Sequence, residues 1–423
     1  MKKSKGFLSA LDSRLTILEW TIPEFLLKFI SCFAECLNIS VSVRVNVQPA
    51  LLEWAIKRSR LPADVGGIYS AWIEGSKQPT LNQLVDFSRK FRVPLGSLFL
   101  KMPPEESLAI ADFRTLDGAM PRNPSPNLLD TFYTMQSRQK WMREELLESG
   151  ASPMPIVGSI SLNDSVQEAV RTILEHLQLG AMWHKSATDD AKRCSLLRKA
   201  ADQIGILVFF SGIVGHDTSR TLDTDEFRGF VLVDKYAPLI FVNSNDSETA
   251  RLFTLTHEIV HLALGESGLF NFRRFGVGDE KLEVRCNAIA AELLVPRSAF
   301  EEQWKKTSGN QISTLARHFG VSRAVIARRA FDLEYITYET FVNYYQVLRE
   351  EWLRQKRKNK EKKGKNKIFY PVAEFRRSRC FSEAVIIAAD SGRLLLRDAY
   401  RLLDLRGNTF ETFAKNLKGI NDD

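Results

Sequence analysis

Histidine and cysteine are scarce in this chain of 423 residues, with six of the first and five of the second. The cysteines, Cys32, Cys36, Cys194, Cys286 and Cys380, are odd in number and scattered. That excludes a dense disulfide framework and suits a reducing compartment with buried thiols. Long apolar runs are missing as well. The stretch from Leu18 to Val43 carries Glu19, Glu24, Lys28 and Glu35, too many charges for a membrane span. The basic start MKKSKGFLSALDSR does not lead into a signal core, because Asp12 and Arg14 interrupt it. A soluble cytoplasmic protein with no membrane partner is the expectation.

A basic body is absent too. There are 59 Lys+Arg against 51 Asp+Glu, but nine bases and one acid, Glu361, lie between Arg354 and Lys367. Outside that run the chain balances at 50 against 50, so the net charge of +8 describes one short segment. The hydrophobic fraction of 44% and charged fraction of 26% exclude wholesale disorder and fibrous repeats. The length allows two to four domains at roughly 100–200 residues each.

What is present divides the chain. Residues 1–46 form a segment of unassigned role, in which FLLKFISCFAECL reads as an amphipathic helix. Its Cys32 and Cys36 cannot complete a tetrahedral zinc site by themselves. Residues 47–102 read as short helices, with Leu51, Leu52, Ala55 and Ile56 as one apolar stripe. Thr80 and Gln83 make a capping box there, and Val93-Pro94 is a helix stop. Residues 103–164 are a proline-rich linker and a helix. From 165 to 350 the pattern becomes α+β. ILVFFSGIV, FRGFVLVDK and APLIFVNSN read as three strands, and Asn245 with Glu248 as the capped start of a helix closed by Gly265. GLFNFRRFGVGDEK reads as loop and LEVRCNAIAAELLV as a further helix. Residues 351–367 are a basic linker, extended by self-repulsion, with a nucleic-acid tether or an acidic protein partner as alternatives. Residues 368–423 are a small helical unit with Leu394, Leu395, Tyr400, Leu402 and Leu403 as its core.

One motif carries chemistry. In His257-Glu258-Ile259-Val260-His261 the two histidines stand four apart, on one face of a helix, and can share a cation. Glu258 sits about 100° from His257, near enough to take a proton from a water held by that cation without being a ligand. Zinc is the metal this donor set suits. The same pattern should arise by chance in roughly one such chain in two hundred.

The third ligand must come from elsewhere. The helix over residues 282–295 offers Glu283 and Glu292, which are about 900° apart along it and cannot both face one metal. Glu283 is the expected ligand, with Glu280 and the softer Cys286 as alternatives. Asn287, four residues after Glu283, is placed to hydrogen-bond an imidazole N–H. His216 and Tyr236 are candidates for stabilising developing negative charge on a substrate.

HEIVH followed about twenty residues later by LEVRCNAIAAELLVP resembles the ImmA/IrrE metallopeptidase family. That resemblance implies a zincin-like domain in which His257, His261 and Glu283 hold Zn²⁺, Glu258 is the catalytic base and Asn287 supports a ligand. WIEGSKQPTLNQLVDFSRKFRVPLGSLFL is similar to the end of a Cro/repressor-type helix-turn-helix domain. The preceding stretch RLPADVGGIYSA is several residues short of a whole one, so a structural remnant or protein–protein module is as good a reading as a DNA reader. Asp112–Thr115 and VSRAVIARRAFDLEYIT also resemble family segments, which brings the likeness to residues 48–350.

ISTLARHFGVSRAVIARRAF has the spacing of a helix-turn-helix, and Arg317, Arg323, Arg328 and Arg329 could meet phosphate. The alternative is a helical pair packed under the peptidase site. The C-terminal unit resembles extensions on some family members encoded beside toxin genes. The resemblance therefore implies a zinc endopeptidase acting on a repressor-type transcription factor or a toxin–antitoxin partner, in response to stress or a mobile element. The rival is a non-catalytic antitoxin or DNA-binding regulator that retains the metal helix.

Overall fold

The computed structural model describes residues 44–59, 68–104, 124–183, 190–265, 268–270, 281–361 and 376–419. Cys32, Cys36, Asp112–Thr115 and Glu280 lie outside them. The chain divides into two compact units, Met1–Glu105 and Glu106–Asp423.

In the first unit α1 (Pro49–Ser59), α2 (Ile68–Ile73) and α3 (Leu81–Phe91) precede a 3₁₀ turn, Leu95–Phe99. They enclose a core of Leu51, Leu52, Ala55, Trp72, Leu84, Phe87, Phe91 and Leu98. The capping box forms as expected: Gln83 N–H donates to the Thr80 hydroxyl at 3.3 Å, and Thr80 N–H to Gln83 Oε1 at 2.9 Å. The helix stops one residue before the anticipated Val93-Pro94, at Arg92, which takes a left-handed φ of 57°.

The second unit is α+β. Before the sheet come α4 (Pro126–Glu148), α5 (Val166–His176) and α6 (Asp190–Gln203). The strands are β1 (Leu207–Ser211), β2 (Ile213–Val214), β3 (Asp217–Thr221), β4 (Gly229–Leu232) and β5 (Leu239–Asn243), and after α7 (Glu248–Leu264) comes β6 (Gly268–Phe270). β1, β5, β4 and β6 lie side by side in that order, with β1 parallel to β5 and the other pairs antiparallel. β2 and β3 make a separate hairpin.

All three anticipated strand regions form. Two more strands were not anticipated. β3 is DTSRT, largely exposed and without apolar alternation, so hydropathy cannot signal it. β6 falls in the segment read as loop; it is three residues long and defined by its ladder to β4.

The central strands are buried on both faces, which explains their near-continuous apolar runs. Val208, Phe210, Val231, Ile240 and Val242 point into one core, shared with α5, α6, α7 and α8 (Lys281–Leu294). Leu207, Phe209, Phe230, Leu232, Leu239 and Phe241 point into the other. The first core extends into α9 (Arg297–Lys306), α10 (Gln311–Phe319) and α11 (Arg323–Asp332) through Phe300, Phe319 and Ile326.

The second face is covered by α4 and by α13 (Arg379–Asp390), α14 (Leu396–Leu403) and α15 (Asn408–Leu417). Phe381 meets Phe209 edge-on, with ring centroids 5.5 Å apart, and Trp141 likewise at 5.6 Å. The C-terminal helices thus share the core of the sheet rather than forming a core of their own. Leu402 and Leu403 are buried as anticipated, but Leu395 is 62% exposed at the start of α14.

Two further expectations are corrected. The cap of α7 is Ser247, whose hydroxyl accepts from Ala250 N–H, and not Asn245. The Asn245 amide is taken up by the carbonyls of Gly212 and Leu222, at 2.7 and 2.8 Å. The basic run is not extended throughout: α12 (Tyr338–Glu361) carries its first eight residues, Arg354 to Glu361, as a helical continuation.

Candidate metal centre

α7 packs between the sheet and α8. Its residues from Leu252 to Ala263 are all buried, so the motif lies within a helix enclosed on every side. Gly265 ends it with φ 76°, its N–H returning to the His261 carbonyl.

His257 Nε2 and His261 Nε2 are 3.0 Å apart. Glu283, in the first turn of α8, places Oε2 at 3.3 Å from His257 Nε2 and Oε1 at 3.3 Å from His261 Nε2. Zinc bonds of about 2.0–2.2 Å in tetrahedral array put neighbouring ligand atoms about 3.3 Å apart. The three donors therefore already stand at the spacing of one triangular face around such an ion, and they are the group among the described residues that could hold one.

The local electrostatics agree. Burial lowers the pKa of His257, against the opposing pull of Glu283, and so favours the neutral ring that has a lone pair to offer. Burial would raise Glu283, but the hydrogen bonds and charge of His257 and His261 hold its carboxyl well below the usual range. Asn287 lies close enough to His257 to oppose the lowering of its pKa, but its Oδ1 accepts no hydrogen bond among the described residues.

Glu258 is fully buried, and neither of its oxygens has a hydrogen-bond partner among the described residues. Burial first, and the charge of Glu283 second, push its pKa well above the ordinary carboxylate value. A core selected only for packing would not keep a bare carboxyl there, since each unmatched polar atom costs about 1–3 kcal/mol. An incoming water or peptide group gives those atoms a purpose.

The other candidates lie elsewhere. Glu292 faces away from the triad: it pairs with Arg329 of α11 and accepts from Arg297 N–H at 3.0 Å. Cys286 is fully buried in the apolar core, and burial raises its thiol pKa well above normal. His216 is on the β2–β3 turn, within the field of Arg138, Arg376, Arg377 and Asp404. The guanidinium of Arg143 lies over the Tyr236 ring. Neither His216 nor Tyr236 is at the triad.

The arginines of α10 and α11 are mostly occupied within the protein. Arg323 pairs with Glu351, Arg328 with Asp332 at 2.8 Å, and Arg329 with Glu292, while Arg317 is exposed. α10 and α11 pack as a helical pair, with three of these four arginines engaged by acidic side chains of the protein.

One contributor went unnoticed in the sequence. A Cβ on Gly229 would stand 2.6 Å from Thr254 Cγ2, 2.9 Å from the Phe241 carbonyl and 3.3 Å from Glu258 Oε1. The absent side chain lets β4 lie against the motif helix. A glycine inside an apolar strand was the available signal.

The α+β domain thus brings two histidines and a glutamate together beside a buried carboxyl, an arrangement that could hold a metal ion. Residues 201–331 match the Peptidase_M78 family model, described as an IrrE N-terminal-like domain. The match runs from the end of α6 into α11 and takes in the sheet, the triad and Glu258. Residues 378–416 match a domain of unknown function and coincide with α13–α15. No curated protein matches the chain. No described helix is long and apolar enough to cross a membrane.

Proposed function

We propose that the chain is a zinc-dependent endopeptidase that cleaves a regulatory protein such as a repressor-type transcription factor. The observation that carries this reading is the buried, unpartnered Glu258 carboxyl beside three donors already at zinc spacing. The match of residues 201–331 to a metallopeptidase family supports it.

His257, His261 and Glu283 would hold the ion, which when bound supplies Lewis acidity for peptide hydrolysis near neutral pH. Asn287, one turn after Glu283 on the same helix, would support the His257 ring. Glu258 accepts the proton of the attacking water and returns it to the leaving amine. Its enclosure raises its proton affinity, which favours its acting as base and then as acid.

Glu258 also separates this reading from a non-catalytic regulator, because a purely structural metal site has no use for it. The test is co-expression with a repressor-type regulator or toxin–antitoxin protein encoded beside it. Cleavage by wild type and none by Glu258→Gln is the expected result. Cleavage by both, or by neither while DNA binding persists, would overturn the endopeptidase reading.

A further inference from the structure

A second cleft, mostly apolar but with charged groups in its wall, lies on the opposite face of the sheet, between α4, the β1–β2 junction and the C-terminal helices. Its cavity volume is about 40 Å³ and it is partly open to solvent, room for a group the size of a phosphate rather than for a whole drug-sized ligand. Its charged lining is three guanidinium groups, Arg138, Arg376 and Arg377, against one carboxylate, Asp404. Phe209 and the backbone at Gly215 contribute to the remaining wall.

These groups are built into the fold. Arg138 is only 5% exposed; it pairs with Asp404 at 2.7 Å, while its Nε has no acceptor among the described residues. Arg377 is 6% exposed and donates to the backbone carbonyls of Leu403 and Asp404, which orient it. Arg376 is half-buried and makes no ion pair among the described residues. Burial, then the neighbouring charge of Arg138, brings the Arg377 pKa down to about 10. Gathering three guanidinium groups in a sheltered cleft is costly unless an anion joins them.

We propose that this cleft binds a small dianionic ligand of the phosphomonoester class. Such a group carries about −1.5 to −2 charges at neutral pH, against the excess of two positive charges in the lining. Its three terminal oxygens can accept from several planar guanidinium forks at once. A monocarboxylate would balance half of that excess. The site is independent of the metal centre and of the endopeptidase reading.

The test is isothermal titration of the full-length protein with inorganic phosphate and, in a second arm, with adenosine monophosphate. Saturable binding is expected to weaken by roughly tenfold or more in Arg376→Ala, whose side chain supports no ion pair of the fold. Asp404→Asn should bind more tightly, because it removes the competing carboxylate while asparagine tolerates the left-handed φ of 48° at that position. His261→Ala should bind as wild type, which separates this cleft from anion capture at the metal centre. Tighter binding of the nucleotide would identify an organic phosphomonoester, and binding of phosphate alone the free ion; both support the proposal. No saturable binding of either probe, unchanged binding in Arg376→Ala, or loss confined to His261→Ala would overturn it.

Discussion

Gly229 of β4 lies directly against Glu258 of α7, with room for a hydrogen and no more: a Cβ would stand 3.3 Å from Glu258 Oε1 and 2.6 Å from Thr254 Cγ2. The Phe241 carbonyl on the other side, at 2.9 Å, belongs to the sheet and cannot yield easily. Gly229→Ala should therefore separate strand from helix by a few tenths of an ångström. A stability loss of about 1–3 kcal/mol is expected in denaturant unfolding, together with lower metal content. Wild-type stability in the variant would mean that the approach is looser than described.

Glu258 couples stability to pH. Its folded pKa is raised above the ordinary value of 4.5, so the folded state holds this proton more tightly than the unfolded chain. The stability from that proton is fully present below pH 4.5 and declines as pH rises toward the folded pKa. Glu258→Gln removes the dependence. In chelator-treated protein the variant should gain on wild type as pH rises above 4.5, by up to about 1.4 kcal/mol per pH unit until the folded pKa is reached, and with metal present it should lack peptidase activity. Parallel stability curves for the two proteins would contradict the buried, unpartnered placement of this carboxyl.

Metal binding should be lost through single ligands. Zinc per purified chain should fall from near one to near zero in His261→Ala, and chelation should lower the melting temperature of wild type but not of the variant. Glu283→Gln should weaken zinc retention with the fold intact. Retention of a full equivalent in Glu283→Gln would place the third ligand elsewhere, for instance at Glu280.

The motif helix, its triad and the three main strand regions were legible because their causes are local. Four-residue spacing puts His257 and His261 on one face, and about half a turn of phase difference separates Glu283 from Glu292. The cap at Ser247 was misread because Asn245 is also a good capping residue, and only the carbonyls of Gly212 and Leu222 show that its amide is engaged elsewhere. The C-terminal helices were read as a separate unit because periodicity reveals an apolar face but not its partner. That Phe381 lies against Phe209 depends on contacts more than 170 residues apart in the chain.

The attachment of those helices can be tested through Asp202. Its carboxylate accepts from the Ser378 hydroxyl at 2.7 Å and from Arg379 N–H at 2.8 Å, so α6 anchors the first turn of α13. Asp202→Ala removes both bonds and should cost about 1–3 kcal/mol. Hydrogen exchange should show the loss first in α13. Uniform destabilisation with α13 still protected would mean that apolar packing alone holds these helices.

The pair between Glu292 and Arg329 separates packing from metal binding. Both side chains are nearly buried, and Arg329 also donates to the Val295 carbonyl at 3.1 Å, so the pair ties α11 to the end of α8. Removing one partner strands the other in the core. Glu292→Gln or Arg329→Met should each cost about 3–5 kcal/mol, whereas the double change to methionine should recover much of that loss. Zinc content of the folded fraction should stay near one per chain throughout, because Glu292 faces away from the triad. Loss of zinc from folded Glu292→Gln, with Glu283 intact, would mean that the half-turn separation of these two glutamates does not decide which of them reaches the metal.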